Sequence, residues 1–481
     1  MAEAMVDDVQ HWQDFFAGQR TDLPGPDLER IIGLALECTT VQQSDSPALA
    51  GSFKDIAANQ QLAIESARLR NHGLFPSVLG DRPGDILASR LVGNWNIILI
   101  QEGSQRFLVF QGVSSSDAIM LPGLNLLIIT CHITMGQVKN SLAILSRTSR
   151  FFTTAKKATF GGYLVGHSRP YHCFYDGLLG LQAVIEAGEL NPEDNLYSKE
   201  DEAFVDLSLC LGLNQQHQRL SLKVLNQICI ERNIYLLQLG FWFHTRAEDP
   251  ELRNLAENLD SQLREAALRY SQLGAMGALK DLEKCNPLIW VGITGQKRSW
   301  IEQVEGTAEL LNSMHERFPK LGVVFDGWTP PLSISDYHRG EIRNDDNIIR
   351  SILKKLNWNT RQNIGILTGL PSLEKIRVGL SVDVWLGNYT SGSQNIARIC
   401  GKPGVGHMGV RMVDSKHQHI HHCTREIPIE FIKDISDAST PTGYVNYSIP
   451  WQALYKILLE VIDSIPVEYT QSTLSQTRNS E

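Results

Sequence analysis

Apolar and polar positions alternate most regularly in the C-terminal half of the chain. From residue 286 on, four short apolar runs, LIWVGIT, LGVVFDG, NIGILTG and VDVWLGN, are separated by segments long enough for the helices that connect parallel strands. Between the first two runs, apolar side chains recur at steps of three and four residues from Ile301 to His315, which predicts a helix with one apolar face. The pattern predicts a parallel-sheet domain over residues 286–465, followed by a disordered polar tail, residues 466–481.

The N-terminal half follows a less regular pattern. Residues 1–85 contain helical stretches separated by polar breaks, which predicts an N-terminal helical region. From Trp95 short β-rich runs begin, and helices and strands then alternate as far as the regular segment. We therefore expect a first α/β domain over residues 86–285. Two α/β domains in tandem predict a cleft between them, and open parallel sheets bind ligands at the carboxyl ends of their strands.

Composition places the chain among ordinary globular proteins. Of its 481 residues 42% are hydrophobic and 20% are charged, which excludes disordered and fibrous classes. The formal net charge of −9 argues against a dedicated nucleic-acid binder. The acidic start does not resemble a secretory signal, and no apolar stretch approaches the roughly 20 residues that cross a bilayer.

Eight scattered cysteines without a CxxC pair are typical of reduced thiols. The expected protein is cytoplasmic, compatible with peripheral membrane contact but not with a span. Its oligomeric state is left open.

The clearest signal for chemistry lies in the segment Val384–His407, which predicts a buried strand, a small polar loop and a helix. Ser391, Gly392 and Ser393 would lie at the helix N-terminus, where free backbone N–H groups attract anions and a glycine lets a phosphate approach. We include Asn395 of the same junction among the candidate substrate-binding residues. Simple capping of the helix by either serine is the competing interpretation.

A second loop is expected at the same edge of the sheet. After the first strand, Thr294, Gly295, Lys297 and Arg298 provide a glycine and two cations where a diphosphate would lie. For the two cations taken alone a solvated pair of charges is the favoured interpretation, but the convergence of two loops favours a phosphate site. Asp326, which ends the next strand, either contacts the ligand or begins a turn.

In the N-terminal domain, His172 and Asp176 are four residues apart and share one face of a predicted helix, away from its apolar stripe. A carboxylate in that position would orient the imidazole and raise its basicity for removing a proton from a hydroxyl. An ordinary surface pair or a helix cap is the competing interpretation. His167 is an alternative base, and Arg169 a candidate anion clamp.

Three short segments resemble the family-61 glycosyltransferases. P-Y-H-C-F-Y-D-G-L-L-G-L is similar to the family's YHW…D.LPRL element, and L-G-N-Y-T-S-G-S-Q-N-I to its later GPHGAGLTN element. P-S-L-E-K-I occupies the place of the short EQ element between them. The chain departs from the family in the glycine-rich loop, where Tyr389 or Thr390 stands in place of a histidine.

The resemblance implies a GT-B enzyme of the α/β class, with two Rossmann-like domains facing a cleft. It implies a nucleotide-sugar donor on the C-terminal domain, an acceptor on the N-terminal domain and no obligatory metal. By the same resemblance, His172 and Asp176 serve the acceptor side, while Glu374 approaches the ribose or base of the donor.

Metal and cofactor sites are not expected. Metal-dependent transferases use a D-x-D pair, and the chain has none that is well placed near a strand. The cluster His417–Cys423 invites a zinc interpretation, although a polar strand or loop is the competing one, and the question is left open.

The predicted function is metal-independent transfer of a sugar from a nucleotide diphosphate sugar to a hydroxyl acceptor, without a cofactor. One alternative is a nucleotide-sugar epimerase or hydrolase of the same fold, which would consume donor without acceptor. Another is a non-catalytic sugar-nucleotide-binding module.

Overall fold

The computed structural model describes the chain between residues 39 and 465, with internal gaps. The described residues are 39–42, 46, 48–58, 61–80, 82–131, 133–145, 156–241, 243, 247–270, 282, 284–358, 363–389, 391–435 and 439–465. The chain divides into an N-terminal unit, residues 1–203 and 213–243, and a C-terminal unit, residues 204–212 and 244–481. The predicted polar tail lies outside the described residues.

The helices have the following bounds. The α-helices are α1 Gly51–Ala58, α2 Leu62–Leu69, α3 Met135–Leu145, α4 Pro170–His172, α5 Leu178–Glu186, α6 Leu207–Leu211, α7 Leu222–Glu231, α8 Pro250–Tyr270, α9 Gln303–Arg317, α10 Asp336–Leu353, α11 Ser372–Gly379 and α12 Trp451–Asp463. Two π-helical segments are Cys173–Gly177 and Gln394–Ile399. Short 3₁₀ turns are Arg70–His72, Pro122–Leu124, Ser391–Ser393, Val410–Gln418, Ile429–Phe431 and Thr442–Tyr444. Among the described helices none has both the length and the apolar character needed to cross a membrane.

The N-terminal unit contains a seven-stranded sheet of order β1-β7-β6-β5-β4-β3-β2, antiparallel except for the parallel pair β1 and β7. Its strands are β1 Thr39–Gln42, β2 Leu74–Phe75, β3 Gly84–Val92, β4 Trp95–Glu102, β5 Gln105–Gln111, β6 Ala118–Leu121 and β7 Leu126–Ile129. Gly93 and Gly103 have positive φ values and close the two tight hairpins, a conformation that glycine adopts without a Cβ penalty. The β-rich runs predicted after Trp95 thus form an antiparallel sheet.

A four-stranded parallel sheet completes the N-terminal unit. Its strands are β8 Thr159–Leu164, β9 Leu196–Lys199, β10 His217–Leu220 and β11 Ile234–Gln238. They lie in the order β10-β9-β8-β11, which is 3-2-1-4 when the strands are counted along the chain. This is the order of a Rossmann half-sheet, and it reverses between β8 and β11.

The C-terminal unit is built on six parallel strands. They are β12 Leu288–Gly292, β13 Gly322–Asp326, β14 Ile364–Ile366, β15 Val384–Asn388, β16 Gly404–His407 and β17 Thr424–Glu426. Their order, β14-β13-β12-β15-β16-β17, is the doubly wound order 3-2-1-4-5-6, which reverses between β12 and β15. A two-stranded ribbon, β18 Lys433–Asp434 and β19 Tyr447–Ser448, lies outside this sheet.

The predicted α/β class with two Rossmann-like sheets is confirmed by these two strand orders. The four predicted apolar runs of the C-terminal domain form β12 to β15. Their side chains pack with α9 and α12 into one core, in which Val323, Leu311 and Leu458 are fully buried. Burial of such side chains supplies most of the driving force for the sheet–helix layers.

The units divide the chain elsewhere than at the predicted boundary after residue 285. Helix α8 belongs to the C-terminal unit, where it packs against α6 and α11. A buried ion pair fixes it there, since Arg398 Nε donates to Asp260 Oδ2 at 2.9 Å and both side chains are at most 1% exposed. Within residues 39–85, the described segments include strands β1 and β2 as well as helices α1 and α2.

Candidate functional site

A narrow pocket lies at the carboxyl ends of β12 and β15, where the strand order of the C-terminal sheet reverses. Its cavity volume is about 20 Å³. Its lining is rich in glycine and small polar residues. These include Gly292, Thr294, Gly387, Asn388, Gly392 and Ser393. In open α/β sheets this reversal point is where ligands bind, because the connections leave it on opposite faces of the sheet.

Two facing glycines leave part of the pocket without side chains. A Cβ added to Gly292 would lie 3.4 Å from the Gly387 Cα, and one added to Gly387 would lie 3.3 Å from the Gly292 Cα. The bare backbone allows a ligand to approach the strand ends closely.

The loop after β12 is held in place by side chains of the following helices. Gln303 accepts a hydrogen bond from the Thr294 N–H at 2.9 Å and donates one to its carbonyl at 3.2 Å. The Asn344 amide donates to the Gly295 carbonyl at 2.8 Å. A Cβ on Gly295 would overlap the ends of the Asn344 and Asp345 side chains, so both would have to move to admit a larger residue. The loop therefore has a defined shape before any ligand binds.

The two predicted cations of this loop do not lie in the pocket lining. Lys297 Nζ lies 4.6 Å from the centre of the Tyr444 ring, a cation–π contact. Arg298 has a φ of 54°, in the left-handed region that non-glycine residues seldom adopt. Among the described residues that line the pocket, this loop is represented by Ile293 and Thr294. Diphosphate binding by Lys297 and Arg298 stays a prediction.

Asp326 ends β13 and lines the pocket, and a buried lysine neutralises it. Lys375 Nζ lies 2.5 Å from Asp326 Oδ1, and both side chains are at most 3% exposed. The ammonium group also donates to the Gly327 and Trp328 carbonyls and to Thr329 Oγ1. Burial raises the pKa of Asp326, while the charge of Lys375 opposes that rise. The paired carboxylate repels an anionic ligand much less than an unpaired one would.

A second buried carboxyl, Asp345, lies beside the segment that follows β13. Its Oδ2 accepts the Trp328 N–H at 2.7 Å, and its Oδ1 has no hydrogen-bond partner among the described residues. Burial raises the pKa of Asp345 to about 7, and the charges of Asp326 and Glu341 act in the same direction. The group therefore titrates near neutral pH, unlike an exposed carboxyl.

The serine-rich loop after β15 contributes Gly392 and Ser393 to the pocket. Ser393 Oγ lies 3.0 Å from His421 Nε2, and the His421 ring lies 3.9 Å from that of Tyr389. Burial and the neighbouring His419 and His422 lower the pKa of His421 well below its usual value, which keeps the ring neutral. The contact between Ser393 and His421 was not expected from the sequence.

Other predicted residues of this unit lie outside the pocket lining. Glu374 and Asn395 are buried, on α11 and on the second π-helical segment. Neither polar atom of the Asn395 side chain has a hydrogen-bond partner among the described residues. Ser391 begins the 3₁₀ turn after β15, and its side chain lies outside the described part of the chain. The His417 side chain lies outside the described part of the structure; among the described side chains, those of His419, His421, His422 and Cys423 included, no three metal-ligating groups come together.

In the N-terminal unit, His172 and Asp176 form the hydrogen bond that their spacing predicts. His172 Nδ1 lies 2.7 Å from Asp176 Oδ2. The Asp176 side chain is 1% exposed and that of His172 is 19% exposed, so this is not a surface pair. Backbone N–H groups that follow β11 also hold Asp176, since Phe243 donates to its Oδ1 and Phe241 to its carbonyl, both at 3.1 Å. The pair thus lies where the strand order of this sheet reverses.

The helix that carries the pair is irregular. It begins at Pro170, widens into a π-helical turn over Cys173–Gly177 and continues as α5. The sequence predicted a regular helix here. Such π-turns are rare in proteins, and many of those known lie at functional sites.

His167 lies directly beside the pair. Its ring centre is 4.6 Å from that of His172, and its side chain is buried. The Arg169 backbone N–H donates to His167 Nδ1 at 3.0 Å, so in the neutral ring the proton is on Nε2. The three predicted residues of this motif therefore come together around His172, with Arg169 contributing its backbone.

Comparisons with known proteins give likenesses of structure only. No protein-family model matches the sequence, and no curated protein matches it. A family-9 glycosyl transferase from Veillonella parvula is 11% identical, with a TM-score of 0.33 over 56% of this chain and 87% of the other. The E. coli ADP-heptose LPS heptosyltransferase II is 12% identical, with a TM-score of 0.33 over 66% and 99%. The UDP-GlcNAc 2-epimerase of Methanocaldococcus jannaschii is 8% identical, with a TM-score of 0.23 over 58% and 68%.

These identities and TM-scores are low, so the function has to be argued from the residues of the two sites. The resemblance to family-61 glycosyltransferases stays a prediction.

Proposed function

We propose that the protein is a glycosyltransferase of the GT-B type that moves a sugar from a nucleoside diphosphate sugar to a hydroxyl acceptor. The observation that carries the proposal is the glycine-lined pocket at the reversal point of the 3-2-1-4-5-6 sheet. Sheets with this order bind nucleotides at that place. The resemblance to family-61 enzymes points to the same class and implies no obligatory metal.

The chemistry of the pocket favours a diphosphate. Gly292 and Gly387 leave the strand ends bare, so phosphate oxygens can approach backbone N–H groups. Ser393 supplies a hydroxyl, and Lys375 neutralises the acid Asp326. Stabilising the departing diphosphate is the main electrostatic demand of glycosyl transfer from such donors.

His172 is the better candidate for the catalytic base in the N-terminal unit. With Nδ1–H donating to Asp176, the neutral ring of His172 has its lone pair on Nε2, the atom that would take up a proton. His167 already has its proton on Nε2, because its Nδ1 accepts the Arg169 N–H. The buried carboxylate of Asp176 would stabilise the imidazolium that forms.

The proposed step is a displacement. His172 Nε2 removes the proton of the acceptor hydroxyl while the hydroxyl oxygen forms a bond to the anomeric carbon of the donor sugar. The bond between that carbon and the diphosphate oxygen breaks, and the diphosphate leaves with the electron pair. His172 returns its proton to solvent after the product departs.

Ligand binding is the first test. Isothermal calorimetry with uridine, guanosine and adenosine diphosphates and their sugars should find at least one that binds the wild type. Gly387→Ala should weaken this ligand roughly tenfold or more, because a methyl group blocks close approach to the backbone. Gly340→Ala on α10 is the matched control, since its added methyl group meets nothing within 4 Å. Failure of all these nucleotides to bind the wild type would overturn the proposal.

Turnover separates the alternatives. A transferase consumes donor only when a hydroxyl acceptor is supplied, whereas an epimerase or hydrolase consumes it without one. A protein that binds donor but converts it under neither condition would be a binding module. Product analysis by mass spectrometry, with and without a panel of glycan, lipid-linked and protein acceptors, distinguishes the three outcomes.

A further inference from the structure

The side chain of Asn388 is fixed from behind by a chain of buried polar groups. Asn388 ends β15, lines the nucleotide pocket and is 5% exposed. Its Nδ2 donates to the Arg298 carbonyl and, at 2.7 Å, to Tyr447 Oη. Tyr447 Oη in turn lies 2.7 Å from His407 Nδ1.

The direction of these hydrogen bonds follows from the groups themselves. The Arg298 carbonyl can only accept, so the amide must turn an N–H towards it. Burial lowers the pKa of His407 to about 3, so its ring is neutral and Nδ1 can accept the Tyr447 proton. Tyr447 then offers a lone pair to the second N–H of Asn388. Turning the amide over would place its oxygen against the Arg298 carbonyl, which is unfavourable.

Both donors of Asn388 are therefore engaged away from the ligand. Its Oδ1 accepts no hydrogen bond from any described residue. An oxygen in this position attracts a hydroxyl or N–H group and repels a phosphate oxygen.

We propose that Asn388 determines specificity by accepting, through Oδ1, a hydrogen bond from a hydroxyl or N–H of the donor substrate. The donating group belongs either to the nucleoside or to the transferred sugar. Tyr447 is a positioning residue that keeps the amide in this orientation. The inference rests on the proposed function and adds to it the kind of substrate group that is recognised at one side of the pocket.

Three ligands test the inference by calorimetry: inorganic pyrophosphate, the nucleoside diphosphate that binds the wild type best, and its nucleotide sugar. Asn388→Ala should weaken binding of the nucleotide sugar roughly threefold to tenfold, the usual effect of losing one neutral hydrogen bond. Pyrophosphate, which offers no hydroxyl or N–H of this kind, should bind as to the wild type. An equal loss with the nucleoside diphosphate assigns the contact to the nucleoside, and a loss confined to the nucleotide sugar assigns it to the sugar.

Tyr447→Phe gives the same comparison with a smaller change to the protein. The variant should also weaken binding of the ligand that Asn388→Ala affects, because the Asn388 amide loses one of the two acceptors that hold it. Tyr455→Phe on α12 is the matched control and should leave all affinities unchanged.

Equal losses for pyrophosphate and nucleotide sugar would show that Asn388 only supports the phosphate loop, and unchanged affinities would show no contact. Either result overturns the inference while the proposed function stands. A wild type that binds none of the nucleotides overturns both.

Discussion

Replacing the buried cation Lys375 by methionine removes one partner of an ion pair at the edge of the C-terminal sheet. In the wild type its Nζ lies 2.5 Å from Asp326 Oδ1, and the two side chains are 0% and 3% exposed. The same ammonium group donates to three further oxygens, of Gly327, Trp328 and Thr329. The methionine side chain has similar length but no donor, so all four oxygens lose the ammonium group, and of these the Trp328 carbonyl keeps its hydrogen bond from the Gly369 N–H.

The expected loss of unfolding free energy is about 3–5 kcal/mol, the usual range when one member of a buried pair is removed. Most of it comes from the desolvated carboxylate that stays behind. This is a large fraction of the roughly 5–15 kcal/mol by which domains are stable. The double variant Lys375→Met/Asp326→Leu should recover much of the loss, because it leaves no buried charge unpaired.

The pH dependence of the loss identifies its cause. Without Lys375 only the backbone hydrogen bond from Gly327 opposes the effect of burial, so the pKa of Asp326 in the folded variant rises further above its unfolded value of about 4. A raised carboxyl pKa contributes stability that is present at low pH and is lost as the pH rises through the raised value. The deficit of Lys375→Met should therefore be large at pH 8 and shrink towards pH 4.

Guanidinium denaturation followed by circular dichroism, at several pH values, measures the deficit. Lys355→Met is the control, since Lys355 is 47% exposed and pairs with Glu305 at 3.2 Å. Removing such a surface pair should cost less than about 1 kcal/mol. A deficit for Lys375→Met below about 1 kcal/mol, or one independent of pH, would refute the reasoning.

Four further variants test the two sites. His172→Ala should lower turnover by roughly 10²–10⁴ with nucleotide affinity unchanged, whereas His167→Ala should cost less; equal kinetics for both would refute the choice of base. Asp176→Asn should lower turnover less than His172→Ala, as measured by the same steady-state assay, because the imidazole remains. Asp345→Asn should make stability less dependent on pH between about 4 and 7, since the raised pKa of about 7 costs the wild type about 1.4 kcal/mol per pH unit over that interval. Unfolding free energies of Asp345→Asn and wild type that run parallel over this range would contradict the last expectation.

Strands β12 to β15 could be predicted because each is an apolar run between helical segments, the pattern of strands buried on both faces. Strands β16 and β17 have no such pattern: GVGH is half glycine and TRE is polar. The glycines of β16 are a consequence of packing. A Cβ on Gly404 would overlap the Trp385 ring, and one on Gly406 would overlap Tyr389. A strand made of such residues can be recognised only when its neighbours are known.

The same limit applies to the sites. His172 and Asp176 are one helical turn apart, so their contact could be predicted from spacing. Tyr447 is 59 residues from Asn388, and Lys375 reaches Asp326 from a helix three elements further along the chain. The order of the strands brings these groups together, and the local sequence pattern does not reveal that order.

One physical rule places both candidate sites. In each parallel sheet the first and fourth of its own strands, counted along the chain, are neighbours, and by the rule for such sheets their connections leave on opposite faces, so a crevice forms at their carboxyl ends. The residues at these ends differ: a half-buried histidine paired with a buried aspartate in one unit, and glycines, a serine and a neutralised acid in the other. The first set suits proton transfer and the second suits an anion. If this division is right, His172→Ala lowers turnover and leaves nucleotide affinity unchanged. Gly387→Ala, in the C-terminal unit, lowers nucleotide affinity. A nucleotide affinity that falls in both variants would show that the two sites do not act as separate binding and catalytic centres.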